Sequence, residues 1–486
     1  MRVLMTAAEM APLAKTGGLG DVLGGLPSAL AALGHEVTVV MPFYRSINAH
    51  RWGIPLQGDW TDAWIGGAHV FGGIHTWEKE PGVEVCLVAQ DEFFGRDGIY
   101  GDSHGPFGDN DRRFAFLAQV TLEVARRMAR QGRPPDIFHG HDWHAGLVPV
   151  YLAEGRAGFS IPSVFSIHNI QYQGRFGREI LPVVGLSDHY YHPDRLELWG
   201  TVSFLKGGLA YSRMISTVSK GYAREILTYE FGEGLADFLW ARRHDLVGIR
   251  NGIDVMTWNP ATDPLIAARY RPGAMQGKDY CKFALQQEFD LPPRQDVPLL
   301  AMVTRLTEQK GLDLVLPLLP ELLKQDVQVV VLGTGETRYE QALEQLAWTH
   351  PTRMGVRIAF NETLAHRVEA GADIFLMPSR FEPCGLNQMY SLRYATIPVV
   401  RAVGGLDDVV QDLDPDTGDG NGFKFLHYDV QGLRWAVDRA LTLYRRNRPF
   451  WYRWREQVMQ EDFSWERSAA EYVDLYQEAI ARSRTI

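Results

Sequence analysis

Cysteine is scarce. The 486-residue chain has three, Cys86, Cys281 and Cys384, odd in number and far apart. No CxxC pair or Cys/His cluster offers a zinc site or a disulfide framework, which points to a reducing compartment. Long apolar runs are missing too, and none approaches the ~20 residues that a membrane helix needs. The opening MRVLMTAAEMAPLAK has some signal-peptide character, but Glu9 and Pro12 interrupt it, and a buried first strand explains it better. Positive charge is in deficit, with 49 basic against 59 acidic residues and a formal charge of −10. Such a surface repels nucleic acid and anionic lipid, so any phosphate site must be a local cationic pocket. Neither a nucleic-acid nor a membrane partner is expected, and a cytoplasmic location is.

What is present is a globular composition, 45% apolar and 22% charged, on a chain too long for one ordinary core. Apolar strands alternate with helical patterns, which predicts α/β architecture with parallel sheets covered by helices on both faces. In the first half the pattern places strands at residues 3–8, 36–41, 84–89, 136–139, 163–168 and 214–218. The second half is expected to restart with 246–250, then 299–304, 328–332, 357–360, 373–377 and 397–401. A domain boundary is expected near residues 245–255, beside the turn Asn251-Gly252. The final stretch, from Trp465, reads as an amphipathic helix with Trp465, Ala469, Tyr472, Val473 and Tyr476 on its core face.

Three strand–loop–helix junctions carry the candidate chemistry. Arg305 to Lys310 reads RLTEQK, with a strand in front and Gly311 behind. Two long cations at the carboxyl end of a strand, facing a helix amino terminus, make a socket for a diphosphate. Near the amino terminus, Lys15-Thr16-Gly17-Gly18-Leu19-Gly20-Asp21 opens a helix after the first strand; paired glycines let backbone approach a ligand closely. This loop is not GxGxxG, and no acidic residue follows at the ribose-binding distance. The third junction, Ser379-Arg380-Phe381-Glu382-Pro383-Cys384-Gly385-Leu386-Asn387, sets a carboxylate between a strand and a helix. The segment GGLDDV from Gly404 echoes GGLGDV from Gly17, so two similar sheet domains each present a glycine-rich loop.

His139-Gly140-His141-Asp142-Trp143-His144 first suggests a metal. No second ligand cluster has compatible spacing, and a polar, aromatic rim that binds sugar hydroxyls fits better; His168 ends the next strand and joins it. Asp412-Leu413-Asp414 reads as a solvated turn rather than as a metal-binding carboxylate pair. Cations, a lone carboxylate and polar rim groups together indicate a nucleotide-sugar transferase.

KTGGLGDV, HGHDWHAGLVP, HNIQYQG, NGID, RLTEQKGLDL, SRFEPCGLNQ and VGGLDDVV, in this order, resemble the bacterial glycogen synthase and plant starch synthase family. The resemblance covers nearly the whole chain. It implies a GT-B fold, two Rossmann-like doubly wound parallel-sheet domains facing a deep cleft. The amino-terminal one would span residues 1–248, completed by a returning helix at 462–486, and the donor domain 249–461. It also implies a retaining glucosyltransferase using ADP-glucose as donor and an α-1,4-glucan, glycogen or maltooligosaccharide, as acceptor, with no metal or other cofactor.

On that resemblance Glu382, Arg305, Lys310, His168 and Asp142 are the catalytic residues. Arg305 and Lys310 neutralise the diphosphate, Glu382 holds the glucose hydroxyls, His168 lies near the anomeric centre, and Asp142 lines the sugar and acceptor side. The donor-binding set is Lys15, Gly18, Asp21, Asn251, Gly335, Phe360, Cys384, Gly385, Leu386 and Asn387. The chain departs from the family with Gly20 for a usual alanine, Asn387 for threonine, and Phe360 for a tyrosine placed to stack on adenine. A nucleotide-sugar epimerase and a catalytically silent glycan-binding protein are the competing readings. Oligomeric state, acceptor length and the preference between ADP-glucose and UDP-glucose stay open.

Overall fold

The structure, a computed structural model, describes residues 1–483. Two compact units emerge: Met1–Gly252 together with the chain from Trp465 onward, and Ile253–Ser464.

In the first unit the strands are β1 (Arg2–Thr6), β2 (Glu36–Pro42), β3 (Asp59–Ile65), β4 (Ala68–Glu80), β5 (Val83–Ala89), β6 (Gly101–Asp102), β7 (Gly105–Pro106), β8 (Ile137–His141), β9 (Ser163–Ile167), β10 (Arg175–Phe176), β11 (Glu197–Leu198), β12 (Thr201–Ser203), β13 (Met214–Thr217) and β14 (Leu246–Gly248). Nine form one sheet in the order β14-β13-β9-β8-β1-β2-β5-β4-β3. Its central strands are buried on both faces, which is why they read as continuous apolar runs. The sheet winds one way from β1 and the other way from β8, so its topological switch point lies between these strands, beyond their carboxyl ends.

Two features differ from the sequence reading. The segment expected to open the second sheet instead completes the first: β14 pairs in parallel with β13, Ile215 opposite Leu246. Nor is the sheet wholly parallel, because β3 and β4 form an antiparallel hairpin on β5. In β3 the buried Thr61, Ala63 and Ile65 alternate with the outward Trp60, Asp62 and Trp64, the pattern of a half-solvated edge. The two-residue link, Gly66-Gly67, has φ of +60° and +83°, the left-handed backbone that tight hairpins require.

The helix Trp465–Ser483 packs in this unit against the helix Gly18–Ala32. A Cβ on Gly25 would lie 2.1 Å from Nε1 of Trp465, so the glycine makes room for the indole. Trp465, Ala469, Tyr472 and Tyr476 are buried as expected; Val473 is half-buried, and Leu475 takes the core position instead.

The second unit holds β15 (Leu299–Val303), β16 (Gln328–Gly333), β17 (Met354–Ile358), β18 (Ile374–Met377), β19 (Ile397–Arg401) and β20 (Phe423–Phe425). Its six-stranded sheet, β17-β16-β15-β18-β19-β20, is parallel throughout. Here the direction of winding reverses between β15 and β18. The strand expected at 357–360 is shifted toward the amino terminus, leaving Phe360 beyond its end. Among the described residues no helix is long and apolar enough to cross a membrane.

Candidate active site

The switch point of the second unit opens into a cavity of about 190 Å³, lined among others by Arg305, Lys310, Ser379, Glu382, Gly385 and Asn387. The loop after β15 and the loop after β18 meet there. Lys310 Nζ lies 2.6 Å from Glu382 Oε2, and the Ser379 hydroxyl donates to the same oxygen at 3.0 Å. Glu382 is buried, so an unpaired carboxylate would be costly; the lysine and the hydroxyl fix it in one orientation. Arg305 is exposed, touches only Gln309 Oε1 at 3.4 Å, and makes no ion pair among the described residues. The site thus presents one compensated cation and one uncommitted guanidinium.

The surrounding backbone is locked. Arg380 N–H donates to Gln309 O at 2.8 Å, and its guanidinium pairs with Glu308 at 2.9 Å. Asn387 Nδ2 donates to Val303 O at 2.8 Å, tying the helix Asn387–Arg393 to the end of β15. Gly385 has φ of +67°, a conformation that side chains rarely adopt, and the Gln388 amide bridges the carbonyls of Cys384 and Gly385. A Cβ on Gly405 would lie 2.0 Å from Cys384 O, so the late Gly-Gly pair exists for close packing of two turns. Leu386 and buried Cys384 complete that turn. Gly335 and Phe360 stand apart, at the ends of β16 and β17. Gly335 N–H donates to Glu340 at 2.8 Å, and Phe360 is 90% exposed, a ring with nothing yet covering it.

In the first unit, Lys15 Nζ pairs with Asp21 Oδ1 at 2.6 Å. A Cβ on Gly17 or Gly18 would meet nothing within 4 Å, and neither φ demands glycine, so the backbone there faces open space. The loop is held from below by Glu9, which sequence reasoning missed. Its buried carboxylate accepts from Thr16 N at 2.6 Å, Gly17 N at 3.1 Å, the Thr16 hydroxyl at 2.8 Å and the Tyr100 hydroxyl. A lone acid just past a buried strand and before paired glycines was the available signal.

His139 and His141 lie within β8, and His144 in the turn after it. His139 bonds the Tyr476 hydroxyl at 2.8 Å and the Ser166 hydroxyl at 2.7 Å, using both ring nitrogens. His141 Nδ1 and His168 Nε2 are 3.0 Å apart. Burial holds His139 and His168 neutral, pushed down to about 3, and pushes His141 and His144 well below the ordinary imidazole range. Among the described residues no group of three His, Cys, Asp or Glu could hold a metal. Asp412 instead pairs with Arg439 at 2.9 Å, and Asp414 caps its own turn through Asp416 N–H.

Asp142 has φ of 56° and ψ of 179°, a region almost confined to glycine, which costs of order 1–3 kcal/mol. The strain turns its carboxylate toward the next strand, where Oδ1 accepts His168 N–H at 2.8 Å. Burial pushes Asp142 up to about 7, against the backbone hydrogen bonds that favour its charge, with Glu9 adding to the rise. Asn251 follows β14 in the first unit, not in the half that begins at residue 249; it is buried, and its Oδ1 has no hydrogen-bond partner among the described residues. The structure therefore gathers Arg305, Lys310, Glu382, Gly385 and Asn387 in one unit, and Asp142 with His168 in the other.

Comparison with known proteins agrees. Residues 2–241 match the family model described as starch synthase catalytic domain, and 285–456 match glycosyl transferases group 1. A glycogen synthase of Anaeromyxobacter dehalogenans (strain 2CP-C) is 49% identical, covering 98% of this chain and 99% of its own. One of Moorella thermoacetica is 43% identical over 100% of this chain and 98% of its own. The catalytic domain of starch synthase IV from Arabidopsis thaliana, solved bound to ADP and acarbose, superposes with a TM-score of 0.91 at 34% identity over 99% of both chains. A sucrose-phosphate synthase from Thermosynechococcus elongatus, 15% identical with a TM-score of 0.60 over 99% of both chains, shares the fold. Full-length identity to glycogen synthases and a two-unit parallel-sheet architecture leave one assignment: the chain belongs to the glycogen and starch synthase family of glycosyltransferases.

Proposed function

We propose that this chain transfers glucose from ADP-glucose to the non-reducing end of an α-1,4-glucan with retention of anomeric configuration. The observation that carries the reading is the cavity at the β15/β18 switch point, where Arg305 and the Lys310–Glu382 pair converge. Supporting it are the glycogen synthase relatives and the ADP and acarbose in the starch synthase IV structure.

In this reading the second unit takes the donor. Arg305 grips the diphosphate bidentately, Lys310 adds charge to the departing ADP, and Glu382 orients the glucose hydroxyls. Asn387, Leu386, Gly385 and Cys384 shape the turn beneath the sugar, while Gly335 and Phe360 border the nucleotide and the Phe360 ring stacks on adenine. From the first unit, Lys15 and the open backbone at Gly18 bind phosphate oxygens, with Asp21 holding the lysine. His168, neutral and oriented by His141, hydrogen-bonds the sugar; Asp142 and Asn251 line the acceptor side.

Catalysis then rests on positioning and electrostatic stabilisation of an oxocarbenium-like transition state, with the leaving phosphate helping to take the acceptor proton. No metal is needed, because the cations supply the charge. Three cysteines without a disulfide suit a cytoplasmic enzyme. Incubation with ADP-glucose and glycogen tests the reading: ADP release should match chain growth. Sugar isomerisation without growth would make it an epimerase, and glucan binding without turnover a silent binder. Faster growth from UDP-glucose would overturn the donor assignment.

A further inference from the structure

The turn that follows His168 carries chemistry that none of the residues above uses. Asn169 Oδ1 accepts Gln171 N–H at 3.0 Å, and Asn169 O accepts Tyr172 N–H at 3.1 Å, folding 169–172 outward. Gln171 Nε2 then donates to Glu233 Oε1 at 3.3 Å, and Gln173 Nε2 to Glu233 O at 2.8 Å. Glu233 has φ of +46° and is followed by Gly234 at +82°; a Cβ on Gly234 would lie 2.0 Å from the ring of Trp199. These contacts link the turn after His168, through Gln171 and Glu233, to Trp199.

Trp199 is in the wrong place for a structural tryptophan. With Gly200 it forms the two-residue link of the β11–β12 hairpin, and both have positive φ, +52° and +76°. Such a link favours asparagine, aspartate or glycine at its first position, and a bulky residue there is an outlier. Strain of that kind is ordinarily offset by burial, yet Trp199 is 62% exposed. The Gly234 backbone and the Arg175 guanidinium, 5.1 Å from the ring centroid, rest against it. Tyr172 is half exposed nearby in sequence to Gln171. Neither turn geometry nor core packing accounts for the indole. Binding does.

We propose that Trp199, with Glu233 and Gln171, forms a subsite for an outer glucose unit of the acceptor glucan. The inference rests on the acceptor chemistry of the proposed function. A pyranose offers an apolar C–H face and a hydroxyl edge. An exposed indole suits the face, and a carboxylate paired with an amide, both capable of hydrogen bonding, suit the edge. The acceptor is uncharged, so the subsite needs no cation beyond Arg175. Contact here, away from the transfer point, favours long chains over short ones.

The test is Trp199→Asn in the full chain, which installs the residue that the hairpin prefers. Expected are an unchanged or raised Tm, an acceptor KM for glycogen or maltoheptaose raised about three- to tenfold, and ADP affinity within about twofold of wild type. Trp199→Phe should recover most of the acceptor affinity. An unchanged acceptor KM would overturn the subsite, and so would a joint loss of Tm, ADP affinity and acceptor affinity, which marks a structural role. Should the wild type fail to elongate glucan, the functional reading falls separately. Calorimetric titration of maltoheptaose into wild type and variant then decides the subsite: weaker binding by the variant supports it, and equal or absent binding overturns it.

Discussion

Lys310 Nζ and Glu382 Oε2 sit 2.6 Å apart, so the residue assigned to the phosphate and the residue assigned to the sugar are partners before any donor is present. The lysine side chain is 18% exposed and the carboxylate 8%, which makes this a largely desolvated pair whose members are not independent.

Lys310→Ala should therefore do two things. It removes transition-state charge, expected to cut turnover about 10²–10³-fold. It also strands a buried carboxylate. Urea melts across a cycle of Lys310→Ala, Glu382→Ala and the double variant should show coupling of order 1–3 kcal/mol; additive stabilities would show that the pair is not energetically joined.

Acid should unfold the first unit early. His139, His141, His144 and His168 are buried neutral, with folded values far below the 6.5 of an exposed imidazole. Below pH ~6.5 the unfolded chain takes up protons that the folded chain refuses, so stability falls as pH drops toward about 3. The slope is about 1.4 kcal/mol per pH unit for each histidine. Asp142 works the other way: its folded value of about 7 means that the folded chain binds the extra proton between roughly pH 4 and 7. Four histidines outweigh one aspartate. Hydrogen exchange from pH 7 to 5 should show amides of β8 and β9 losing protection before those of β15 and β18.

Asp142→Asn separates the two contributions. Its stability should match wild type near pH 4, where the wild-type carboxyl is already protonated. Above pH 7 it should exceed wild type, because the cost of a buried charge is gone. Paired denaturation curves at pH 4.5 and 8 measure this; a constant difference at both would mean that Asp142 does not titrate in this window.

Glu9→Gln should loosen the glycine loop. The carboxylate holds two backbone N–H groups and two hydroxyls, and an amide of the same shape turns part of that acceptor set into donors. We expect the KM for ADP-glucose to rise about tenfold, the effect of roughly one charge-assisted hydrogen bond, with glycogen KM little changed. An unaltered donor KM would show that the loop does not touch the donor.

EDTA should leave turnover unaltered. His139 already uses both ring nitrogens, and Arg305 and Lys310 offer the positive charge that a metal would otherwise bring. Activity lost to chelator and restored by a divalent ion would reverse that expectation.

Much of the site was legible because its parts are local. A β-branched or apolar run ending in a charged or glycine-rich turn marks the carboxyl end of a strand, and Arg305, Glu382, Asp142 and His168 were found that way. What was hidden depends on contacts between distant residues. The Lys310–Glu382 pair spans 72 residues, and nothing in either motif encodes it. The β3–β4 edge escaped notice because β4 buries only Ile74 fully and the outward tryptophans of β3 blur its alternation of apolar and polar residues. Similarly, β14 was assigned to the wrong sheet because its neighbour, β13, is chosen by three-dimensional pairing and not by the turn that follows it. Glu9 looked like an interruption in an apolar run; its role appears only once the loop folds over it.

The discontinuity of the first unit has a consequence for how the chain is born. The second unit is one continuous segment, Ile253–Ser464, and every strand of its sheet is made before the helix Trp465–Ser483. The first unit begins earlier but finishes last. Until the helix Trp465–Ser483 emerges, the groove beside Gly25 lacks its indole and His139 lacks the Tyr476 hydroxyl, a buried imidazole nitrogen without a partner. The amino-terminal half thus waits, incomplete, through the making of more than two hundred residues, and it is the half that a nascent-chain chaperone has most reason to hold.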